Sequence, residues 1–79
     1  MKSLVAKLPR ISGKDMLRFL QREGFAVVRV RGSHHVLTRG ETDTVVPVHS
    51  NRTLAVGTLR KILRDIEMTP DEFEQHFNA

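Results

Sequence analysis

The chain contains no cysteine, no tryptophan and no tyrosine among its 79 residues. Without cysteine, disulfides and thiolate zinc sites are excluded, and the composition fits a reducing cytoplasm. No apolar run approaches the ~20 residues of a membrane span. The opening Met1-Lys2-Ser3-Leu4-Val5-Ala6-Lys7 lacks the apolar core of a signal peptide. A soluble, cytoplasmic protein with no membrane partner is expected. Acidic residues are scarce in the first half, where only Asp15 and Glu23 fall between Lys2 and Arg39. No carboxylate cluster is therefore available there for acid–base work. The histidines His34, His35, His49 and His76 show no HxxxH or HExxH spacing, so neither a metal site nor a cofactor is expected.

What is present is positive charge, unevenly spread. Lysine and arginine outnumber acids by 13 to 9, a net charge of +4, and nine of the 13 lie between Lys2 and Arg39. From Asp65 onward the balance reverses: Asp65, Glu67, Asp71, Glu72 and Glu74 have no lysine or arginine among them. A basic body with an acidic end suits a phosphate backbone, although a solvated basic surface would look the same. With 39% hydrophobic residues, the length suits one small domain, 1–79, with a limited core that a partner protein could stabilise further.

Periodicity divides the chain into six elements. Pro9 breaks any helix near the start. Ser12 reads as an N-cap with Asp15 three residues on, and Met16, Leu17, Phe19 and Leu20 form the apolar face of a helix ending before Gly24. Phe25 to Arg31 is rich in β-branched residues and reads as a strand. Gly32-Ser33 suits a two-residue hairpin turn with glycine first. His34 to Thr38 is the return strand, Arg39 to Asp43 a second turn, and Thr44 to His49 a third strand, which Pro47 assigns to a sheet edge. Leu54, Leu59, Ile62, Leu63 and Ile66 give a second amphipathic helix with Gly57-Thr58 as its expected start. Thr69-Pro70-Asp71-Glu72 then combines an N-cap, Pro at N1 and Glu at N3, opening a short acidic helix that carries Phe73 and Phe77. The expected fold is α+β: an α-β-β-β-α two-layer sandwich with a three-stranded antiparallel sheet, helices on one face, and a short C-terminal helix. This layout is similar to that of the double-stranded-RNA-binding domain (dsRBD).

Chemistry concentrates at Gly32-Ser33-His34-His35, where two imidazoles suited to proton transfer near neutral pH follow the basic strand. Adjacent strand residues face opposite ways, so only one of the pair serves a given site. Across a Gly32-Ser33 turn, His34 faces Arg31 and His35 faces Val30. Arg29, Arg31, His34 and Val36 then share one face, and Val28, Val30, His35 and Leu37 the other. Both faces are partly apolar, so alternation does not choose between the histidines, and a bulge would change the register. Cleavage of RNA fits such a site because the substrate carries its own nucleophile, the 2′-OH. The protein has only to move protons and stabilise charge. A positioned histidine supplies roughly 10²–10⁴-fold, and Arg29, Arg31, Arg39 or Lys61 could hold the phosphate. His49 is a candidate second proton carrier or phosphate ligand, or simply a loop residue. Ser33 has no acidic partner to make it a nucleophile.

The ordered segments Leu8-Pro9-Arg10-Ile11-Ser12-Gly13-Lys14-Asp15, Gly24-Phe25, Arg31-Gly32-Ser33-His34-His35-Val36, Val46-Pro47-Val48-His49 and Gly57-Thr58-Leu59-Arg60-Lys61-Ile62-Leu63 run nearly the whole length. In this set the chain resembles the HicA (YcfA-like) toxins of type II toxin–antitoxin modules. The resemblance implies a dsRBD-like fold, metal-independent mRNA cleavage that arrests translation, and neutralisation by a HicB-like antitoxin in a hetero-oligomeric complex. It also implies that the last residue of Gly-Ser-x-His is the catalytic histidine. Here that is His35, with His34 at the variable position and as second choice. The substrate-binding set is then Arg29, Arg31, Gly32, Ser33, His34, Arg39, His49 and Lys61. Two positions depart from the family pattern. Val56 stands where many relatives have proline, and Leu37 where an aromatic residue is common. With no Trp or Tyr, stacking on RNA bases falls to Phe, His or Arg. The alternative expectation is a non-catalytic RNA-binding module with the same fold, and a third a basic face that docks an acidic protein.

Overall fold

A computed structural model describes residues 8–79. Its order is α1 (Gly13–Arg22), β1 (Ala26–Arg31), β2 (His34–Arg39), β3 (Thr42–Pro47), α2 (Val56–Asp65) and α3 (Pro70–Phe77). The sheet is antiparallel in the order β1-β2-β3, so β3 is an edge strand, as Pro47 requires. The fold is the expected α+β, dsRBD-like arrangement. α1 packs on β1 and β3, and α2 on β3. Leu37 and Val46 of the sheet join Met16, Phe19 and Leu20 of α1 and Leu59, Ile62 and Leu63 of α2 in one core. No helix among the described residues is long and apolar enough to cross a membrane.

Local signals account for most boundaries. The Ser12 hydroxyl accepts from Asp15 N at 3.0 Å and starts α1. Gly24, at φ 95°, lets the chain turn out of that helix. Phe25 precedes the strand rather than opening it and is buried in the core. At the first hairpin Gly32 has φ 54° while Ser33 keeps a negative φ, the signature of a type II′ turn with glycine first. The second turn is tighter than the five residues from Arg39 to Asp43 expected from sequence. The ladder continues to the Arg39–Thr42 pair, leaving only Gly40 and Glu41 outside it. Gly40 supplies the positive φ, 60°, that such a tight turn needs. Arg39 also packs its guanidinium 4.5 Å from the centre of the Phe25 ring, which extends the ordered strand.

Two other ends differ from the sequence reading. β3 stops at Pro47 instead of His49: the Val48 N–H still donates to Ser33 O at 2.7 Å, in register with the His34–Pro47 pair, and the chain then turns away at His49, whose carbonyl accepts from Arg52 N at 2.9 Å. α2 begins at Val56, with Ala55 as an N-cap that makes no side-chain bond, so Gly57 lies inside its first turn. Burial of Leu54 and Leu59 on either side fixes that start in place of a cap. A backbone bond from Leu54 N to Ile11 O (2.8 Å) and the Ser12–Thr53 bridge tie it to the start of α1.

α3 closes the core from the side. Thr69 and Glu72 form a reciprocal capping box, with Pro70 at N1. Phe73 is fully buried and meets Phe19 edge-on at 5.0 Å, while Phe77 contacts both rings. Its C-terminal half is fastened to α1 by Glu23–His76 (3.2 Å) and by Arg22, which donates to the His76 carbonyl at 3.2 Å.

Candidate active site

The site begins with the register of β1 against β2. Arg31 pairs with His34, and Val30 with His35, as a two-residue turn dictates. Val36 pairs with Arg29 and Leu37 with Val27, because the ladder shifts between Val27 and Arg29. Val28 is therefore the bulged residue, and Val27 replaces it beside Leu37 on the His35 face. Nothing in the run Ala26-Val27-Val28-Arg29, all acceptable in a strand, marks that bulge in the sequence.

Burial then separates the two faces. Leu37, Thr44 and Val46 alternate in phase with His35 and are all buried, so His35 lies on the helix-covered face. His34 lies on the opposite, helix-free face with Arg29, Arg31 and Val36. His35 is half-buried and His34 exposed.

Its orientation is held by backbone. His35 Nδ1 lies 3.2 Å from Ser33 O, the carbonyl that also accepts from Val48 N. A carbonyl can only accept, so in the neutral ring this contact places the proton on Nδ1, and Nε2, which has no hydrogen-bond partner among the described residues, carries the lone pair. The hairpin turn thus fixes both the tautomer and the direction of the ring. A neutral imidazole held through Nδ1 can accept a proton at Nε2 and return it, as a general base and then a general acid.

Gly13 sets how closely α1 approaches this end. A Cβ there would run into the carbonyl oxygen of Pro47, with Pro47 C and Val48 Cα also only 3.1 Å away. Lacking a Cβ, the first residue of α1 sits directly on the chain leaving β3. Contacts therefore run without a break from His35 through Ser33 and Val48 to Gly13, then through Ser12 to Thr53. His49, Ser50 (φ 50°), Asn51 and Arg52 form the exposed loop at the same end. The sequence reading gave Gly13 and Val48 no part in the site. A glycine directly after an N-cap, where no special φ calls for it, was the available signal.

The remaining candidates are dispersed. Arg29, Arg31, Gly32, Ser33, His34 and His49 lie at or next to the hairpin end. Arg39 ends β2 at the far end of the sheet, where it donates to Glu23 O at 2.7 Å. Lys61, on α2, is paired with Asp65 at 3.1 Å, and the same carboxylate oxygen accepts from the buried Thr44 hydroxyl at 3.0 Å. Among the described residues no three of His, Asp and Glu converge as metal ligands.

A family model described as the HicA toxin of bacterial toxin–antitoxin systems matches residues 13–68. The match takes in every element from α1 to α2 and ends before α3. A search of curated proteins gives no match.

Proposed function

The chain belongs to the HicA toxin family of bacterial toxin–antitoxin systems, and on that premise we propose that it is an endoribonuclease whose general acid–base group is His35. The observation that carries this reading is the Ser33 carbonyl at 3.2 Å from His35 Nδ1, which leaves Nε2 as a free, oriented base. In the reaction, Nε2 takes the proton of an RNA 2′-OH. The 2′ oxygen attacks the adjacent phosphorus, the bond to the 5′ oxygen breaks, and a proton is returned to that leaving oxygen. The products are a 2′,3′-cyclic phosphate and a 5′-hydroxyl, and no metal takes part. Arg29, Arg31 and His34, on the helix-free face of the same hairpin, hold neighbouring phosphates of the chain, with His49 at the same end of the sheet.

Messenger RNA is the proposed substrate, its cleavage arrests translation, and a HicB-like antitoxin neutralises the toxin by covering the hairpin. Expression in a bacterial host tests the reading directly. Wild type is expected to stop growth and fragment transcripts. His35→Ala is expected to fold and bind RNA without either effect, and His34→Ala to remain toxic. Full toxicity of His35→Ala with loss in His34→Ala would move the role to the other histidine. Toxicity of both variants would remove the enzymatic reading.

A further inference from the structure

We propose that the open edge of β1 is a docking site for an acidic, extended protein segment, which adds to the sheet as a fourth strand and closes over His35. This rests on the reading that a cognate antitoxin neutralises the chain, and it names how that partner binds.

β1 is hydrogen-bonded to β2 on one side only, with no strand on its other side among the described residues. Every residue of β1 except Val27 is exposed. Val28 and Val30 show 59% and 54% of their surface to solvent, the largest exposures among the strand valines. In an antiparallel pair, alternate residues direct N–H and C=O away from the partner strand, so this edge presents a row of unpaired backbone groups. Natural proteins blunt such edges with proline, lysine or a covering element. The opposite edge, β3, has Pro47 and the packed helix α2. β1 has neither: besides the bulge at Val28 it carries only the charges of Arg29 and Arg31, and from Arg29 to Arg31 its ladder is regular.

The chemistry of this edge selects its occupant. Arg29 and Arg31 project to the helix-free face and Val30 to the face of His35, its cross-strand neighbour. A strand added here would alternate acidic residues toward the arginines with apolar residues toward Val30. The apolar residues would then lie along the approach to His35. RNA fits less well, because it has no alternating amide N–H and C=O groups to complete the ladder and phosphates gain nothing from the valines. The chain's net charge of +4 adds long-range attraction for an acidic protein.

Hydrogen exchange of the toxin, alone and with the protein encoded by the adjacent reading frame, tests the proposal. The complex is expected to slow exchange of the outward-facing amides of β1 by at least roughly 10-fold, with no such protection in the free toxin. Val28→Lys, at an exposed position outside the proposed catalytic set, is expected to keep RNA cleavage. It should weaken the complex by roughly 10-fold or more, because a lysine on an exposed edge position opposes pairing with an added strand. A complex that forms with β1 exchange unchanged and Val28→Lys bound as tightly as wild type would overturn the docking mode and leave the antitoxin reading intact. Protection of β1 in the free toxin would also overturn it, since the edge would already be filled by the chain itself or a second copy. Failure of the two proteins to associate at all would remove the antitoxin reading and the docking mode together.

Discussion

Gly13 and Gly57 both lie in the first turn of a helix, yet replacing each by alanine is expected to change stability in opposite directions. Alanine is favoured over glycine in a helix by up to about 1 kcal/mol, largely because glycine loses more backbone freedom on folding. At Gly57 nothing lies within 4 Å of the added Cβ, so the gain is unopposed and Gly57→Ala should stabilise by about 0.5–1 kcal/mol. At Gly13 the new methyl would overlap the Pro47 carbonyl and press on two further backbone atoms at 3.1 Å. No flexible side chain is there to yield, so helix and strand must separate. Overpacking of this kind costs about 1–3 kcal/mol. Overlap with rigid backbone puts the cost in the upper part of that range, so after the helical gain is subtracted a net loss of about 1–2 kcal/mol remains. For a domain of this size each kcal/mol moves Tm by about 4–8 °C, so Gly13→Ala should lower Tm by roughly 4–16 °C while Gly57→Ala raises it by a few degrees. Thermal and urea unfolding of both variants under identical conditions provide the measurement. Separation of α1 from Val48 also loosens the carbonyl network behind His35, so RNA cleavage by folded Gly13→Ala should fall while that of Gly57→Ala holds. Stabilisation of both variants, or an unchanged cleavage rate in a destabilised Gly13→Ala, would refute the close-approach argument.

Three other outcomes follow from the packing. Phe73→Ala empties a fully buried site edge-on to Phe19 and should cost about 3–5 kcal/mol in urea unfolding, whereas a loss under ~1 kcal/mol would mean α3 is not docked as described. Val56→Pro should stabilise by about 0.4–1 kcal/mol, because Val56 is the first residue of α2 and Ala55 already has the extended backbone (ψ 146°) that a following proline demands. A lowered Tm would show that the Val56 N–H or side chain has a partner. At Glu72 the hydrogen bond from the Thr69 backbone N–H, followed by that of the Thr69 side chain, holds the carboxyl below its ordinary value near 4.5. A group with a lowered folded pKa stabilises above its unfolded value and loses that contribution as pH falls through the folded one. Wild type should therefore lose more stability than Glu72→Gln on going from pH 6 to pH 3, a difference readable by thermal unfolding. Equal losses would contradict the capping role.

The sequence was most legible where a single residue controls local geometry. Ser12 and Thr69 marked helix starts, Gly32-Ser33 marked a two-residue turn, and that turn length dictated the Arg31–His34 and Val30–His35 pairs. It was silent where tertiary contacts decide. Val28 bulges within a run of good strand formers, and α2 starts at a residue without a cap because Leu54 and Leu59 are buried on either side. At the site, alternation showed that His34 and His35 face opposite ways but not which face is covered. That answer needed the burial of Leu37 and Val46, which depends on where α1 and α2 settle. Arg39 and Lys61 were candidates in the sequence for holding phosphate. Their contacts with Phe25, the Glu23 carbonyl and Asp65 depend on tertiary packing and on the helical turn of α2.

The central claim is that an imidazole oriented by the Ser33 carbonyl moves the protons of RNA cleavage. The most direct measurement is cleavage of a purified transcript in excess EDTA by wild type, His34→Ala and His35→Ala, with folding checked by circular dichroism and RNA binding by filter retention. Wild type and His34→Ala are expected to give cyclic-phosphate and 5′-hydroxyl ends, and His35→Ala a rate lower by at least roughly 100-fold with RNA still bound. Cleavage by folded His35→Ala at the wild-type rate, or complete dependence of the wild type on added divalent metal, would contradict it.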